Sequence, residues 1–285
     1  MKWILNTKKF IENLDYHNKP RESLEKIVEY AQEHPLIDRI LKGTKTYQLL
    51  LKLEDRIKER GSIYAAQKFL EDLDVKYNIV GAENIPNNGS AVYVVNHPYG
   101  IVDSLALFGG LGGILESKGR KLKVIGTHLL KMVRGIEDII LFVDSSENPF
   151  RKTPLKQYKS SIINVLHSLH TKGDIATFPA GQISGEKLKE FPWNISLGKL
   201  VKRSDCIVPM WFTGPDHCIF YNFLARKNFH LRNILTFVEA WNKAGETITL
   251  RIGKTITKNE IEKIGADNAE ITNYIRQKAE ALKYS

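Results

Sequence analysis

One stretch, residues 91 to 107, constrains the fold of this chain more than any other. It begins with the apolar run from Ala91 to Val95, which is typical of a buried strand. Pro98 ends the strand because proline has no backbone N–H to donate, and Gly100 permits a tight turn. The run from Leu105 to Leu107 then restarts an apolar pattern typical of a helix. A buried strand, a turn and a helix predict an α/β fold, in which ligands collect at the carboxyl ends of strands.

Two titratable residues, His97 and Asp103, flank this turn. A carboxylate that accepts from one ring nitrogen fixes the tautomer of the histidine and stabilises its imidazolium form. The other ring nitrogen can then take a proton from a hydroxyl or an amine. In a purely structural interpretation, Asp103 caps the helix and His97 only ends the strand. This segment by itself leaves both interpretations open.

A second segment, residues 174 to 184, repeats the layout of the first. A short apolar strand ends at Phe178-Pro179-Ala180-Gly181, where proline and glycine again mark a turn. Two such turns, each following a buried strand, predict two loops that line one pocket.

Together, the two segments resemble the paired motifs of the glycerolipid (lysophospholipid) acyltransferase superfamily. The likeness is greatest to a hemolysin-like branch that includes acyltransferases of ornithine and other amino-acid lipids. That branch carries His-Pro-x-Gly-x-x-Asp, as at residues 97 to 103, and Phe-Pro-Ala-Gly, as at residues 178 to 181. The resemblance covers roughly residues 75 to 255.

The resemblance implies a mixed β-sheet flanked by helices and an acyltransferase activity. The fatty acyl donor would be acyl-CoA or an acyl carrier protein, and the acceptor an amine or hydroxyl of a lysophospholipid or an amino-acid lipid precursor. His97 would be the general base, and Asp103 would orient and stabilise it. The residues expected to bind substrate are Asn96, Pro98, Gly100, Phe178, Pro179, Ala180, Gly181, Gln182, Ser184 and Arg151.

The chain departs from the common superfamily pattern at three points. Five residues separate His97 from Asp103, whereas four are usual, and Ala180 stands where most relatives have an acceptor-binding glutamate. The middle block, residues 142 to 145, lacks the arginine that binds phosphate in the phospholipid enzymes. Arg151 or Lys152 could replace it from the same loop. These changes favour an amino-acid-type acceptor over a glycerol phosphate.

Composition favours an anionic partner. The formal net charge is +10 and the pI is about 9.4, which suits an anionic membrane surface or a phosphopantetheine carrier. A solvated basic surface without a special partner is the alternative. We expect no nucleic-acid partner, because no such motif is present. We expect a cytoplasmic protein on the inner face of the membrane, since no apolar run approaches the ~20 residues of a spanning helix and residues 1 to 14 do not resemble a signal peptide.

The chain divides into a helical N-terminal region, residues 1 to 74, and an acyltransferase domain, residues 75 to 285. The first region would lie on the membrane or cap an acyl tunnel, and residues 1 to 14 would form an interfacial or a packing helix. Pro209, within a predicted strand, would belong to an acyl-donor block or mark a sheet edge or bulge. One charged helix is predicted over residues 258 to 282.

No metal or tightly bound cofactor is expected. His167 and His170 share a helix face, but no third ligand accompanies them. The chain has neither a Gly-x-Ser-x-Gly elbow nor a phosphate-binding Gly-x-x-x-x-Gly-Lys loop. The rival function is a non-catalytic, peripheral lipid-binding protein on the same fold, and a lipid hydrolase is a weaker third interpretation.

Overall fold

A computed structural model describes residues 10, 13–15, 19–143, 155–171, 173–218, 221–222, 236 and 238–284. Several predicted features therefore lie outside the described residues. They are most of residues 1 to 14, the end of the middle block at Asp144 and Ser145, and the candidate phosphate ligands Arg151 and Lys152.

Among the described residues, eight strands form one mixed sheet in the order β1-β7-β6-β2-β5-β3-β4, with β8 paired to β6. Strands β2 to β6 are parallel to one another, whereas β7 and β8 run antiparallel to β6. This confirms the predicted mixed sheet, and β1 lies at one edge of it. The strands are β1 Lys76–Val80, β2 Ala91–Val95, β3 Leu122–Gly126, β4 Ile140–Phe142, β5 Asp174–Thr177, β6 Cys206–Thr213, β7 Thr247–Ile252 and β8 Ile256–Thr257.

Helices cover both faces of the sheet. A π-helical turn, residues 107 to 112, continues α5 into α6. The helices are α1 Pro20–Glu33, α2 Pro35–Leu41, α3 Gly43–Arg60, α4 Ser62–Asp72, α5 Ile101–Ala106, α6 Gly113–Ser117, α7 Leu155–His170, α8 Ser196–Val201, α9 Lys258–Ile264 and α10 Asn268–Ala281.

The central strand β2 is buried along its whole length. Because side chains alternate across a strand, Ala91, Tyr93 and Val95 join the core beneath α3 to α6, whereas Val92 and Val94 join the core beneath α7, α8 and α10. Each fully buried valine contributes on the order of 1.5–3 kcal/mol through its apolar surface. This two-sided burial explains why the sequence of β2 is a continuous apolar run.

The helices before β1 share the core of the sheet. Leu24, Leu53 and Phe69 belong to the same apolar cluster as β2. Arg21 of α1 donates to the buried carboxylate of Glu54 on α3 over 2.7 Å. The division of the chain at residue 74 remains a prediction.

Arg120 holds the amino ends of β2 and β5. Its guanidinium donates to the Asp174 carboxylate at the start of β5, at 2.5 Å, and to the backbone carbonyls of Pro86 and Gly89 in the turn before β2. The side chain of Asp174 is buried. This pair fixes the relative position of the two strands that carry the paired motifs.

Pro209 lies in an internal strand, so the predicted edge position is wrong. On one side β6 pairs with β2. On its other side, Cys206 and Ile207 pair with β8, and residues 210 to 213 pair with β7. The Pro209 carbonyl accepts from the Gly253 N–H at 2.8 Å on this second side. Since the N–H and carbonyl of a strand residue point the same way, the missing N–H of Pro209 would face this second side, between the residues that pair with β8 and those that pair with β7.

The single terminal helix predicted over residues 258 to 282 is also wrong. The structure has α9 and α10, separated at Gly265, whose φ of 113° lies in the region that favours glycine. Asp267 then caps α10 by accepting from the Ala269 N–H at 2.8 Å. The separation lets α10 pack along the sheet through Ile271 and Ile275.

Candidate active site

The two motif loops meet at the carboxyl edge of the sheet. Strands β2 and β5 are parallel neighbours, and Val94 lies opposite Thr177. The residues that follow each strand are therefore side by side, and the Ser184 N–H donates to the His97 carbonyl at 2.7 Å. The arrangement of two loops at one site, predicted from the repeated layout, is present in the structure.

His97 and Asp103 are in direct contact. The His97 Nδ1 lies 2.9 Å from Asp103 Oδ1, and the Tyr99 N–H donates to Asp103 Oδ2 at 2.7 Å. Because a carboxylate only accepts hydrogen bonds, Nδ1 carries the proton and Nε2 keeps its lone pair. The Asp103 side chain is fully buried, whereas 17% of the His97 side chain is exposed to solvent. The arrangement orients a histidine whose Nε2 can act as a base.

The turn between them depends on Gly100. Its φ of 67° and ψ of −100° are disfavoured for residues with a Cβ. A Cβ at this position would lie 2.5 Å from Thr236 Cγ2 and 2.8 Å from Ile183 Cδ1. The Gly100 carbonyl also accepts from the Ser104 hydroxyl at 2.8 Å. This compact turn brings Asp103, in the first turn of α5, back to His97.

The second motif contacts the histidine through Phe178. The two rings are stacked, with centroids 4.1 Å apart and planes inclined by 25°. Pro179 is buried, and its carbonyl accepts from the Asn194 N–H at 2.9 Å. Gly181 is exposed at the tip of the turn with a φ of 65°. Stacking on Phe178 and bonding to Asp103 together restrict the His97 ring.

The remaining predicted binding residues differ in how accessible they are. Ala180 and Gln182 are half-buried, whereas Pro98 and Ser184 are buried. Gly100 is buried as well.

Asn96 contacts the backbone of β6. Its Nδ2 donates to the Phe212 carbonyl at 3.0 Å, and its Oδ1 accepts from the Phe212 N–H at 2.6 Å. The Asn96 side chain is buried and its amide is fully engaged on one residue. Asn96 therefore ties the end of β2 to β6, directly before the histidine.

Glu190 is part of the site, although the sequence did not single it out. Its Oε2 accepts from the Ser184 hydroxyl at 2.6 Å and its Oε1 from the Trp193 indole N–H at 3.1 Å. Burial raises the pKa of Glu190, while the hydrogen bonds from Ser184 and Trp193 and the proximity of His97 lower it in part. No periodic pattern marks such a loop residue, and the one available signal was the neighbouring Trp193, whose indole N–H needs an acceptor when it is buried.

A second polar cluster lies behind the first motif. The Glu239 Oε1 lies 2.6 Å from Lys243 Nζ and 3.3 Å from His217 Nδ1, and all three side chains are buried. The Lys243 ammonium sits 5.3 Å from the centre of the Tyr99 ring. Burial opposes ionisation of Glu239, but the hydrogen bonds from His217 and Lys243 and the lysine charge prevail and lower its pKa to about 2. This cluster supports the motif turn from behind.

The described part of the chain contains no group of three or more His, Cys, Asp or Glu side chains placed to hold a metal ion. In the same residues, no helix has the length and apolar character needed to cross a membrane.

Comparisons with known proteins agree on the enzyme class. No family model matches the chain. Lyso-glycine lipid O-acyltransferases from Phocaeicola vulgatus and Bacteroides thetaiotaomicron are each 28% identical over 204 residues. The match spans 68% of this chain and 69% and 71% of those proteins. The crystal structure of the 1-acyl-sn-glycerophosphate acyltransferase PlsC from Thermotoga maritima shares the fold, with a TM-score of 0.52 and 13% identity over 93% of this chain and 95% of its own.

The PlsC likeness bears on the fold alone, whereas the two sequence relatives bear on the chemistry. The fold similarity and the names of the two relatives agree with the function that the motifs at residues 97 to 103 and 178 to 181 predict. The chain is therefore an acyltransferase, and its motifs and fold are similar to those of the glycerolipid acyltransferase superfamily.

Proposed function

We propose that this enzyme transfers a fatty acyl group from a thioester to the hydroxyl of an amino-acid lysolipid. The observation that carries the proposal is the 2.9 Å contact between His97 and the buried Asp103. The names of the two sequence relatives support a lyso-glycine lipid as acceptor and oxygen as the acylated atom.

The proposed reaction begins when His97 Nε2 removes the proton from the acceptor hydroxyl. The oxygen attacks the thioester carbonyl and forms a tetrahedral intermediate, and Asp103 stabilises the imidazolium that results. Collapse of the intermediate breaks the carbon–sulfur bond. The departing thiolate takes the proton back from His97, so the products are an ester and a free thiol.

Acyl-CoA or acyl carrier protein is the proposed donor. The positive net charge supports both donors, since each presents a phosphopantetheine arm. For the acceptor, Ala180 and Gln182 supply no charge beside the histidine. The uncharged motif loop supports an acceptor other than a glycerol phosphate.

A direct test gives purified protein acyl-CoA or acyl carrier protein thioesters of several chain lengths, with a lyso-glycine lipid or lysophosphatidic acid as acceptor. Mass spectrometry identifies the acylated product. We expect transfer to the lyso-glycine lipid with a kcat/KM well above that for lysophosphatidic acid. Preferential acylation of lysophosphatidic acid would show that the proposed acceptor class is wrong.

We also propose that the enzyme works at an anionic membrane surface through its N-terminal helices. On α2, Leu36 is 64% exposed, and Arg39, one turn away, is exposed as well. An apolar and a basic side chain on one helix face suit an interfacial position. Helix α2 lies within residues 1 to 74, the region that the sequence predicts to lie on the membrane or cap an acyl tunnel.

Vesicle sedimentation tests this second proposal. Leu36→Asp should weaken binding to vesicles that contain phosphatidylglycerol, and added salt should weaken binding of the unmodified protein. Ile163→Asp is the matched control, because Ile163 is 63% exposed on α7. Equal losses for both variants, or equal binding to neutral vesicles, would contradict the proposed surface.

A further inference from the structure

Glu190 is a half-buried carboxyl group that the proposed reaction leaves unused. Its two oxygens contact two different side chains, the Ser184 hydroxyl at 2.6 Å and the Trp193 indole at 3.1 Å. The indole N–H can only donate, so Oε1 is an acceptor. Each oxygen of Glu190 therefore has its own partner.

This carboxylate connects to the catalytic loop through Ser184. The Ser184 side chain is fully buried and bonds to Glu190, while its backbone N–H donates to the His97 carbonyl at 2.7 Å. A continuous chain of hydrogen bonds thus runs from Trp193 through Glu190 and Ser184 to the main chain of His97.

We propose that Glu190 is a positioning residue that fixes the main chain at His97 through Ser184. The inference rests on the proposed function, because it assigns His97 the role of base. It extends that function by giving the main chain of the histidine a fixed anchor in the second motif loop.

Three variants test the hydrogen bonds of Glu190. Glu190→Ala removes the partner of the Ser184 hydroxyl, whereas Glu190→Gln keeps the contacts, because its amide oxygen can accept from Trp193 and its amide nitrogen can donate to Ser184. Ser184→Ala removes the side-chain link itself. Glu262→Ala is the matched control, since Glu262 is exposed on α9.

The primary experiment is amide hydrogen exchange followed by NMR, because the Ser184 N–H that bonds to the His97 carbonyl reports on the link without any catalysis. We expect this amide to exchange on the order of tenfold faster in Glu190→Ala and at nearly the rate of the unmodified protein in Glu190→Gln. It should stay unchanged in Glu262→Ala. Unchanged exchange at Ser184 in Glu190→Ala would overturn the proposed positioning role, whatever the acyl transfer assay shows.

Kinetics then separates positioning from general stability. In Ser184→Ala and Glu190→Ala we expect kcat to fall on the order of tenfold and KM for the acceptor to stay unchanged, whereas Glu190→Gln should keep kcat within about twofold of the unmodified protein. Wild-type kcat in Ser184→Ala would overturn the positioning link. An inactive unmodified protein whose Ser184 exchange is faster in Glu190→Ala would instead contradict the proposed function alone.

Discussion

Replacing Gly100 by alanine tests whether the turn between His97 and Asp103 is set by lack of space as well as by backbone conformation. The positive φ of 67° alone costs a residue with a Cβ about 1–2 kcal/mol. The new methyl group would also meet Thr236 at 2.5 Å and Ile183 at 2.8 Å, and overpacking of this kind costs about 1–3 kcal/mol. We therefore expect Gly100→Ala to lower the free energy of unfolding by about 2–5 kcal/mol.

Gly181 provides the matched comparison, because its φ is 65° and a Cβ there would meet nothing within 4 Å. Gly181→Ala should lower the free energy of unfolding only by the backbone term, about 1–2 kcal/mol. Urea unfolding followed by circular dichroism measures both variants, with stability taken from the midpoint and slope. Equal losses of stability in the two variants would refute the claim that close packing fixes the turn at Gly100.

Three further predictions concern buried charges. Asp103→Asn should lower kcat by on the order of 10³–10⁴-fold, by analogy with other His–Asp pairs. An amide has one acceptor atom, and its N–H₂ group can force the proton of His97 onto Nε2. Steady-state kinetics that show less than a tenfold loss of kcat would contradict this prediction. The pKa of Glu239 in the folded protein is about 2, below its unfolded value, so Glu239 contributes stability above about pH 5 that disappears as the pH falls toward 2. The urea midpoint should therefore fall less steeply between pH 7 and pH 3 in Glu239→Gln than in the unmodified protein. An equal fall in both proteins would show that Glu239 does not contribute this stability. Arg120→Met should lower the free energy of unfolding by about 3–5 kcal/mol, because it leaves the Asp174 carboxylate buried without its cation; a loss below about 1 kcal/mol in the same assay would argue against this estimate.

The parts of the site that sequence patterns predicted are those encoded locally. The apolar run of β2, the proline after it and the glycine in the turn lie within ten residues, and they place His97 and Asp103 at one strand end. The same logic placed Phe178 at the end of β5. The proximity of the two loops could also be predicted, because parallel strands bring their carboxyl ends to one edge of the sheet.

The parts that sequence patterns missed depend on contacts between distant segments. Asn96 bonds to Phe212, 116 residues away, so its sequence position beside His97 gave no sign of its partner. Pro209 lies in an internal strand between the residues that pair with β8 and those that pair with β7, which no local pattern reveals. Glu190 lies in an irregular loop, where hydrophobic periodicity carries no information.

The central claim is that His97 is the base for acyl transfer, and one comparison tests it most directly. Purified wild-type and His97→Ala proteins are given an acyl thioester and a lyso-glycine lipid, and both thiol release and acylated lipid are measured. Circular dichroism and the thermal midpoint establish that the variant is folded. We predict that folded His97→Ala loses acyl transfer by on the order of 10³-fold or more. Turnover close to that of the wild type in the folded variant would contradict the assignment of His97 as the base.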